Sequence, residues 1–400
     1  MLRIPLQKFQ IIAFIFLPLA WIVRNTLFLR RREVELYSSV DQAAIVQIII
    51  VLMTALVILT SRPLTFWNDL KGTSGRLWII LYLFGMISFF WSINPSYSAY
   101  RAFEFLVLSI AIMLLILNSA SEETAENNVL LISWIVLMCD IIGKGILHNF
   151  SIIAMPNNSS GACAVIIACY SWGRIIADTK GSNKYLIISG IMSTFLVLHS
   201  LSTASWWAFL IGMFFISIIS RRKVLLFLFF IALITAFFYF DQASIDLFLY
   251  RQKAGKTFEE ALTGRQYLWQ DYWLAFQEKP LLGYGFGTAG REISQMYTTN
   301  THNFIFAIAV GLGASGLTIF IIFFIKFIFE IIRNLRFQTI FTIGFSSALI
   351  AGFTNGLSLS LIGENFITAS YVFSALFSFH LYEYINTEDY LRSSLQPDEP

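Results

Sequence analysis

The feature that most constrains this chain is a series of long apolar segments that recurs from one end of the sequence to the other. A helix needs about 20 apolar residues to span the hydrocarbon core of a bilayer, and most of these segments approach that length. Their apolar residues are continuous rather than alternating, which predicts helices and excludes barrel strands. Charged residues are 13% of the chain, about half the share of a soluble domain. The sequence therefore predicts an integral membrane protein without a sizeable soluble domain.

The fold class that we predict is all-α, a polytopic transmembrane bundle of about 12 spans with one long extracytoplasmic loop containing short helices. Residues 1–240 hold about nine spans, 241–302 form the long loop, 303–385 hold about three spans, and the polar tail 386–400 is predicted to be disordered. The pair 185–201 and 205–220 is open between a tight hairpin and one long tilted helix with a re-entrant turn. The predicted spans are 9–29, 40–60, 77–93, 101–118, 129–147, 161–177, 185–201, 205–220, 223–240, 303–325, 337–356 and 365–385.

The distribution of Lys and Arg predicts the orientation. Basic connections follow the second, sixth, eighth and tenth spans, whereas the connections at 92–100, 148–160, 201–204 and 356–364 contain no Lys or Arg. Basic loops stay on the cytoplasmic side, so both termini are predicted to be cytoplasmic and the loop 241–302 to lie outside. Two connections disagree with this pattern: Arg30, Arg31 and Arg32 fall in an outer loop, and the inner loop 118–128 is acidic.

Conventional enzyme signatures are missing from the chain. It has no P-loop, no G-x-S-x-G, no H-E-x-x-H and no D-x-D pair. The four histidines are scattered and the three cysteines form no spaced cluster, so we predict no metal site and no cofactor. A net charge of +3 is too small to indicate nucleic acid as a partner.

The loop 241–302 carries six basic residues and the aromatic stretch RQYLWQDYWLAF. Such a stretch is typical of a helix on the membrane interface or of a small helical cap packed on the bundle. Aromatic residues at this spacing more often pack than bind a ligand. Cations beside the outer leaflet suit an anionic ligand such as a lipid diphosphate.

Two residues of this region are candidates for chemistry. His302 lies where the loop re-enters the membrane, and a neutral histidine there can accept a proton from a sugar hydroxyl. The alternative is an interfacial residue hydrogen-bonded to water or backbone. Arg265 offers a fork of donors that matches phosphate oxygens in pairs. The alternative is a solvated loop cation.

Further polar and small residues lie near predicted membrane boundaries. Arg101 and Glu364 are predicted at the outer mouths of two spans, where charge is often functional but also reaches headgroups by snorkelling. Glu104 and Asp140 lie within apolar spans, and pairing with an arginine is the favoured interpretation for acidic residues at such sites. The glycines at 311, 313 and 316 are predicted to let helices approach closely or to make room for a lipid tail.

Four stretches in order carry a resemblance to a known family. They are WSINPSYSAYRAF, then MPNNSSGACAV, then LTGRQYLWQDYW with PLLGYGFG, and finally His302–Asn303 followed after nine residues by GASGLT. The chain thereby resembles the O-antigen ligase and polymerase superfamily of bacterial envelope glycan enzymes, which includes exopolysaccharide polymerases of the ExoQ type. The third and fourth stretches are the specific ones.

The resemblance implies a multi-pass protein of the bacterial cytoplasmic membrane with its active site on the periplasmic or extracellular side. It implies an undecaprenyl-diphosphate-linked glycan as donor, a second glycan as acceptor, and possible cooperation with a chain-length regulator. His302 and Arg265 would be catalytic. Arg265 would also contact the diphosphate, and Asn303, Arg291, Arg101 and Glu364 would complete the binding site.

The chain departs from the family pattern at one position. Many relatives have a Ser-Arg pair where this sequence reads LSTASWWAF, with Ser205 followed by Trp206. The departure favours a polymerase of lipid-linked repeat units over a ligase that moves a finished chain to lipid A-core or protein. Arg291 or Arg101 would have to replace the missing cation. A polysaccharide transporter or flippase is the remaining alternative, although no internal repeat supports it.

Overall fold

A computed structural model describes the chain over residues 6–27, 42–61, 63–143, 158–178, 184–200, 202–220, 265–293, 301–337, 339–359, 361–363 and 367–395. These residues are helical apart from turns and loops, and they include no strand. The α-helices are α1 (Lys8–Leu27), α2 (Gln42–Thr60), α3 (Pro63–Asp69), α4 (Ser74–Ile87), α5 (Pro95–Leu117), α6 (Glu122–Ile141), α7 (Asn158–Ala177), α8 (Lys184–His199), α9 (Thr203–Ile219), α10 (Arg265–Glu278), α11 (Phe304–Phe337), α12 (Thr342–Gly356) and α13 (Thr368–Leu395).

Capping residues in the sequence define where helices begin. Asn94 accepts a hydrogen bond from the Tyr97 N–H at 3.4 Å, and Pro95 follows as the first residue of α5. Ser121 caps α6 by accepting from the Thr124 N–H at 3.1 Å. Each cap satisfies one of the N–H groups that a helix start leaves without a partner.

Eleven of the predicted spans coincide with a helix, and the segment 223–240 lies outside the described residues. The uncertain pair is two helices, α8 and α9, separated by the short connection 200–202. Among the described helices, four are long and apolar enough to cross a membrane: Pro95–Leu117, Glu122–Ile141, Ser159–Ala177 and Phe304–Phe337. Shorter apolar helices are Ala44–Thr60, Ser74–Phe90, Lys184–His199 and Ala204–Ile219. The total of about 12 crossings stays a prediction.

Hydrogen bonds between helices define two ends of the bundle. At one end Gln10 of α1 donates to the Thr60 carbonyl of α2 at 3.1 Å, and the Ser74 N–H donates to Glu330 at 2.6 Å. We call it the basic end, because it holds Lys71 before α4, Arg174 in the last turn of α7, and Arg333 and Arg336 near the end of α11. The other end, called the loop end, brings together the 88–94 connection, residues 265–293 and 301–303, and the start of α13.

The core of the bundle is built around α5, α7, α12 and α13. Helix α7 packs against α8, α9 and α12, while α13 packs against α5, α6 and α12. An aromatic group in the core links α4 and α5 to the long loop: Tyr82 stacks on Phe105 with ring centroids 5.0 Å apart, and Phe286 meets Tyr82 edge-on at 5.8 Å. Phe286 is 1% exposed, so the loop is anchored in the bundle by a buried side chain.

Two expectations about the polar segments are decided by the fold. Helix α10 packs against α11. The aromatic stretch therefore forms a helical cap on the bundle rather than an isolated interfacial helix. The tail predicted to be disordered from residue 386 is instead helical as far as Leu395. This part of the helix is held by an ion pair between Glu388 of α13 and Arg333 of α11, a tertiary contact that composition does not predict.

Candidate active site at the loop end

The central feature of the loop end is a break in α11. Gly313 has φ 66° and ψ −165°, so the helical halves 304–312 and 314–337 are separated by one non-helical residue. A break of this kind leaves carbonyl groups before it and N–H groups after it without helical partners. In an apolar setting each such group costs several kcal/mol unless another part of the protein satisfies it.

The Gly-rich loop 280–287 supplies those partners. The carbonyls of Pro280 and Leu281 accept from the N–H groups of Ala314 and Ser315 at 2.7 and 3.2 Å. On the other side of the break, Tyr284 and Gly285 donate to the carbonyls of Val310 and Gly311. These two bonds measure 2.9 and 2.8 Å. The loop and the broken helix therefore form one unit, in which each completes the backbone hydrogen bonds of the other.

Glycine is required where loop and helix touch. Gly283 has φ 67°, and a Cβ atom there would lie 2.4 Å from the Val310 carbonyl oxygen. A Cβ atom at Gly313 would lie 2.4 Å from the Leu281 backbone. The sequence predicted that glycines 311, 313 and 316 let another helix approach, but at Gly313 the structure places a loop instead. The difference arises because Gly313 leaves the helical conformation, which spacing alone does not reveal.

The opposite side of the loop is bound to the connection between α4 and α5. The Phe286 N–H donates to Ser88 Oγ at 3.0 Å, and the Trp91 indole donates to the Leu282 carbonyl at 2.7 Å. The loop is thus held between α11 and the 88–94 connection, which contains the start of the WSINPSYSAYRAF stretch.

Helix α10 covers the first half of α11 through a small apolar cluster. The cluster comprises Leu268, Tyr272, Ala275, Tyr284, Ala289 and Val310. Beside it the Trp269 ring stacks on the Phe306 ring with centroids 6.0 Å apart. Tyr267 and Trp273 of the same aromatic stretch are exposed. Packing against α11 therefore explains why Trp269 and Tyr272 are aromatic.

His302 stands at the entry to α11 in a rare backbone conformation. Its φ is 53°, and it is the non-glycine residue with positive φ among the described residues. The next residue, Asn303, caps the helix: its Oδ1 accepts from the N–H groups of Ile305 and Phe306 at 2.8 and 3.3 Å. A left-handed conformation at a bulky residue costs about 1–3 kcal/mol and is concentrated at functional sites. The cap and the left-handed residue before it direct the chain into α11.

The structure brings the backbones of Arg265 and His302 to one region. Arg265 begins α10 one helical turn before Trp269, and His302 precedes Phe306 by four residues. Since Trp269 and Phe306 are stacked, both candidate positions lie about one turn from the same ring pair. Arg291 belongs to the short π-helical turn Ala289–Ile293, whose two end residues contact the same cluster. Glu364 lies outside the described residues.

Arg101 lies elsewhere, on the side of α5 that faces α1 and α2. Its NH1 donates to Glu104 Oε2 at 2.8 Å, and Glu104 is completely buried. Oε1 of the same carboxylate accepts from the Trp21 indole at 2.9 Å and from Gln47. The predicted pairing of Glu104 with an arginine is confirmed. Nearer the start of α5, Ser98 adjoins the Gly-rich loop, because a Cβ atom at Gly285 would lie 2.7 Å from Ser98 Oγ.

Asp140 is held by hydroxyl groups at the loop end. Thr368 of α13 donates to its Oδ1 at 3.1 Å, and Ser160 of α7 donates to its Oδ2. Ser160 belongs to the MPNNSSGACAV stretch, so this motif joins α6, α7 and α13. The position of Asp140 in an apolar span favours an arginine partner, whereas the structure gives it hydroxyl donors. Serine and threonine in apolar helices give no distinctive signal in a sequence.

Ser205 and Trp206, which stand where many relatives have a Ser-Arg pair, both make hydrogen bonds within the bundle. Ser205 is fully buried and accepts from the Asn355 amide at 3.0 Å. Trp206 donates from its indole to the Ser200 carbonyl at 3.1 Å, which closes the turn between α8 and α9. The tryptophan that replaces the arginine thus has a defined packing role.

A polar group beside the loop was missed by sequence analysis. The Tyr284 hydroxyl donates to Glu278 Oε2 at 2.6 Å, and Lys279 Nζ lies 4.4 Å from the centre of the Tyr284 ring. Burial, together with the hydrogen bond to the Glu278 carboxylate and its charge, raises the pKa of Tyr284 to about 12. In the sequence this group is indicated only by the Glu278–Lys279 pair directly before the Gly-rich loop. Without the tertiary contact to Tyr284, such a pair is typical of an ordinary solvated turn.

Comparison with known proteins now bears on this site. A family model described as O-antigen ligase matches residues 188–321. This segment of the chain is similar to the O-antigen ligase family. The match covers about a third of the chain and includes α10, the Gly-rich loop, His302 and the break in α11. It confirms the resemblance to the O-antigen ligase and polymerase superfamily. No curated protein matches the chain significantly.

The match to the O-antigen ligase family and the apolar helices together support a membrane protein of the ligase or polymerase type. The candidate residues Arg265 and His302 of the matched segment lie at the loop end, on elements held by the packing of α10 and of the 280–287 loop on α11. Arg101 and Glu104 lie outside the matched segment.

Proposed function

We propose that this protein is a glycan polymerase that joins undecaprenyl-diphosphate-linked repeat units at the outer face of the cytoplasmic membrane. The observation that carries the proposal is the placement of Arg265 and His302 about one helical turn from the stacked Trp269–Phe306 pair, within the segment that matches the O-antigen ligase family. A cation and a proton acceptor are the two groups that this transfer requires.

In the proposed reaction an acceptor sugar hydroxyl attacks the anomeric carbon of the donor. The new glycosidic bond forms as the bond from that carbon to the diphosphate oxygen breaks, and the lipid diphosphate leaves with the electron pair. His302 accepts the hydroxyl proton. Arg265 offsets the charge that grows on the leaving oxygens, with Arg291 as a second cation. Glu364 is a further candidate for orienting these groups.

The diphosphate is already a good leaving group, so the demands on the protein are positioning and charge stabilisation. The mutual hydrogen bonding of the 280–287 loop and α11 supports this role, because it fixes the helix start that carries His302. Asn303 contributes by capping that helix, and we propose that its amide also helps to orient the imidazole. Arg101, which is paired with Glu104 on the side of α5 that faces α1 and α2, is proposed as a contact for anionic substrate away from Arg265 and His302.

The test is complementation of a deletion strain with wild type, His302→Asn, Arg265→Lys and His199→Ala. Asparagine tolerates the positive φ of His302, so His302→Asn removes the imidazole without adding backbone strain. His199→Ala is the matched control, because His199 also lies at the loop end but belongs to α8. We expect the first two variants to lose polymer by about a hundredfold or more, and the control to keep it.

Lipid-linked intermediates, separated by gel and mass spectrometry, distinguish the alternatives. Single repeat units on lipid indicate a polymerase, full-length chains on lipid indicate a ligase that transfers to lipid A-core or protein, and intermediates confined to the cytoplasmic face indicate a flippase. Normal polymer in strains with normal amounts of His302→Asn and Arg265→Lys protein contradicts the proposed roles of both residues.

A further inference from the structure

A cleft at the basic end, between α11 and α13, has no role in the proposed transfer. Its volume is about 410 Å³, and three basic side chains line it: Lys326, Arg333 and Arg336. They lie on one face of α11, at spacings of seven and three residues, so they point into the same space. Tyr384 of α13 forms the opposite wall.

The tyrosine ring and the nearby carboxylates hold two of these cations, Lys326 and Arg333, in place. Lys326 Nζ and the Arg333 guanidinium each lie 5.7 Å from the Tyr384 ring centre. Arg333 is also paired with Glu388. These contacts orient the cationic groups toward the cleft at little further entropic cost.

Glu330 is the acidic residue inside the cleft, and it is largely engaged with α4. Its oxygens accept from the Ser74 N–H at 2.6 Å and from the Ser74 hydroxyl, and His380 Nε2 lies 3.4 Å away. Lys326 Nζ is 3.9 Å from Glu330, which is a long ion-pair distance. The carboxylate therefore turns toward the bundle. Since Arg333 is paired with Glu388, Lys326 and Arg336 supply most of the positive charge on the open side.

An apolar strip continues from the cleft along α11 toward the middle of the helix. Phe329 is 64% exposed, and Ile322, Ile325 and Ile332 are exposed as well. In a spanning helix such residues face lipid chains. A cationic cleft that opens on an apolar strip matches an amphiphile with an anionic head, because head and tail each meet a complementary surface. A free phosphate would use only the cleft.

We propose that this cleft binds the phosphate group of an anionic phospholipid, with an acyl chain along the strip from Phe329 to Ile322. Basic clefts between membrane helices bind such headgroups, since each Lys or Arg near the surface contributes to the attraction. The site is distinct from the loop end and holds whether or not the chain transfers glycans.

The test uses the full-length protein purified in detergent and native mass spectrometry. The probes are dioleoyl phosphatidylglycerol, dioleoyl phosphatidylcholine and glycerol 3-phosphate, at about 150 mM ionic strength. We expect wild type to retain phosphatidylglycerol, and Lys326→Gln/Arg336→Gln to bind it roughly tenfold more weakly. The charge-matched control is Lys71→Gln/Lys184→Gln, two exposed basic residues at the same end.

Each outcome decides the proposal. Equal losses in the cleft variant and in the control mean general surface attraction and overturn it. Equal retention of phosphatidylcholine overturns the anionic selectivity, and glycerol 3-phosphate that competes as well as the lipid identifies a free-phosphate site instead. If the glutamine variant fails to fold, the charge-conserving Lys326→Arg/Arg336→Lys protein is expected to keep phosphatidylglycerol binding; its loss there contradicts the charge-based site.

Discussion

Tyr284 shows how one side chain links the packing of the long loop to its polar contacts. Its ring belongs to the apolar cluster between α10 and α11, its backbone bonds to Val310, and its hydroxyl donates to Glu278. The residue therefore closes the loop onto the helix that precedes it as well as onto the one that follows. In the sequence, Tyr284 is only one residue of the stretch PLLGYGFG.

Tyr284→Phe should lower the stability of the protein by about 1–2 kcal/mol at neutral pH, because the Glu278 carboxylate loses a hydrogen-bond donor. The measurement is the apparent Tm of the purified protein, and Tyr267→Phe is the control because Tyr267 is exposed. Equal Tm values for Tyr284→Phe and wild type would show that the hydroxyl does not stabilise the loop.

The pKa of Tyr284 adds a pH dependence to this comparison. A pKa raised to about 12 in the folded state means that the protonated hydroxyl is favoured by folding. Its contribution is full below the ordinary tyrosine pKa of about 10 and is lost as the pH rises through the folded pKa. The Tm difference between wild type and Tyr284→Phe should therefore be constant below about pH 10 and shrink toward about pH 12. A difference that does not change over this interval contradicts the assignment.

At the scale of elements, the decisive feature is that a loop completes a broken helix. Helix α11 has 34 residues in total, and Gly313 divides it. The 280–287 loop can satisfy the divided backbone only because Gly283 and Gly313 allow main chains to approach. The position of His302 follows from this arrangement, since the first half of α11 is short and is fixed by the loop and by α10.

Gly283→Ala should separate the loop from α11, since the added methyl group would meet the Val310 carbonyl at 2.4 Å and neither backbone can yield cheaply. We expect a loss of about 2–4 kcal/mol in stability and a loss of polymer formation. Gly72→Ala is the matched control: Gly72 also has positive φ, 81°, but a Cβ atom there meets nothing within 4 Å.

Both variants carry the cost of a left-handed alanine, which is about 1 kcal/mol. The difference between their apparent Tm values therefore measures the steric cost of the loop contact alone. Equal Tm values and normal glycan in Gly283→Ala cells would mean that the loop does not need to touch α11.

At the scale of the whole molecule, buried polar groups join helices that are distant in sequence. Glu104 of α5 binds Trp21 of α1 and Gln47 of α2. Glu126 of α6 accepts from Tyr170 and Arg174 of α7 at 2.7 and 3.0 Å. Helices in a membrane gain little from apolar contact with one another, so such bonds help to define which helices pair.

Glu104→Gln should destabilise the attachment of α1 and α2 to α5. Arg101 would lose its carboxylate while its side chain is 22% exposed, so the cost is about 2–3 kcal/mol, below the value for a fully buried pair. The readouts are the apparent Tm and protease cleavage between α1 and α2. Glu122→Gln serves as control, because Glu122 is an exposed residue of the first turn of α6. Unchanged Tm and unchanged cleavage would show that this group does not hold the three helices together.

The sequence by itself determined the class of this protein and most of its helices. Apolar segments of spanning length leave the backbone no alternative to helices, which is why eleven predicted spans coincide with helices. The motifs around Arg265 and His302 indicated the family, because their residues are local in the chain.

The tertiary structure determines the features of this protein that the pattern of a single segment does not predict. The break at Gly313, its completion by residues 280–285, and the helical tail held near Arg333 depend on contacts between segments that are separate in sequence. The partners of Glu104 and Asp140 likewise come from other helices, 83 residues away for Trp21 and 228 for Thr368. Periodicity describes one segment in its average environment, whereas a buried hydrogen bond depends on which segment packs beside it.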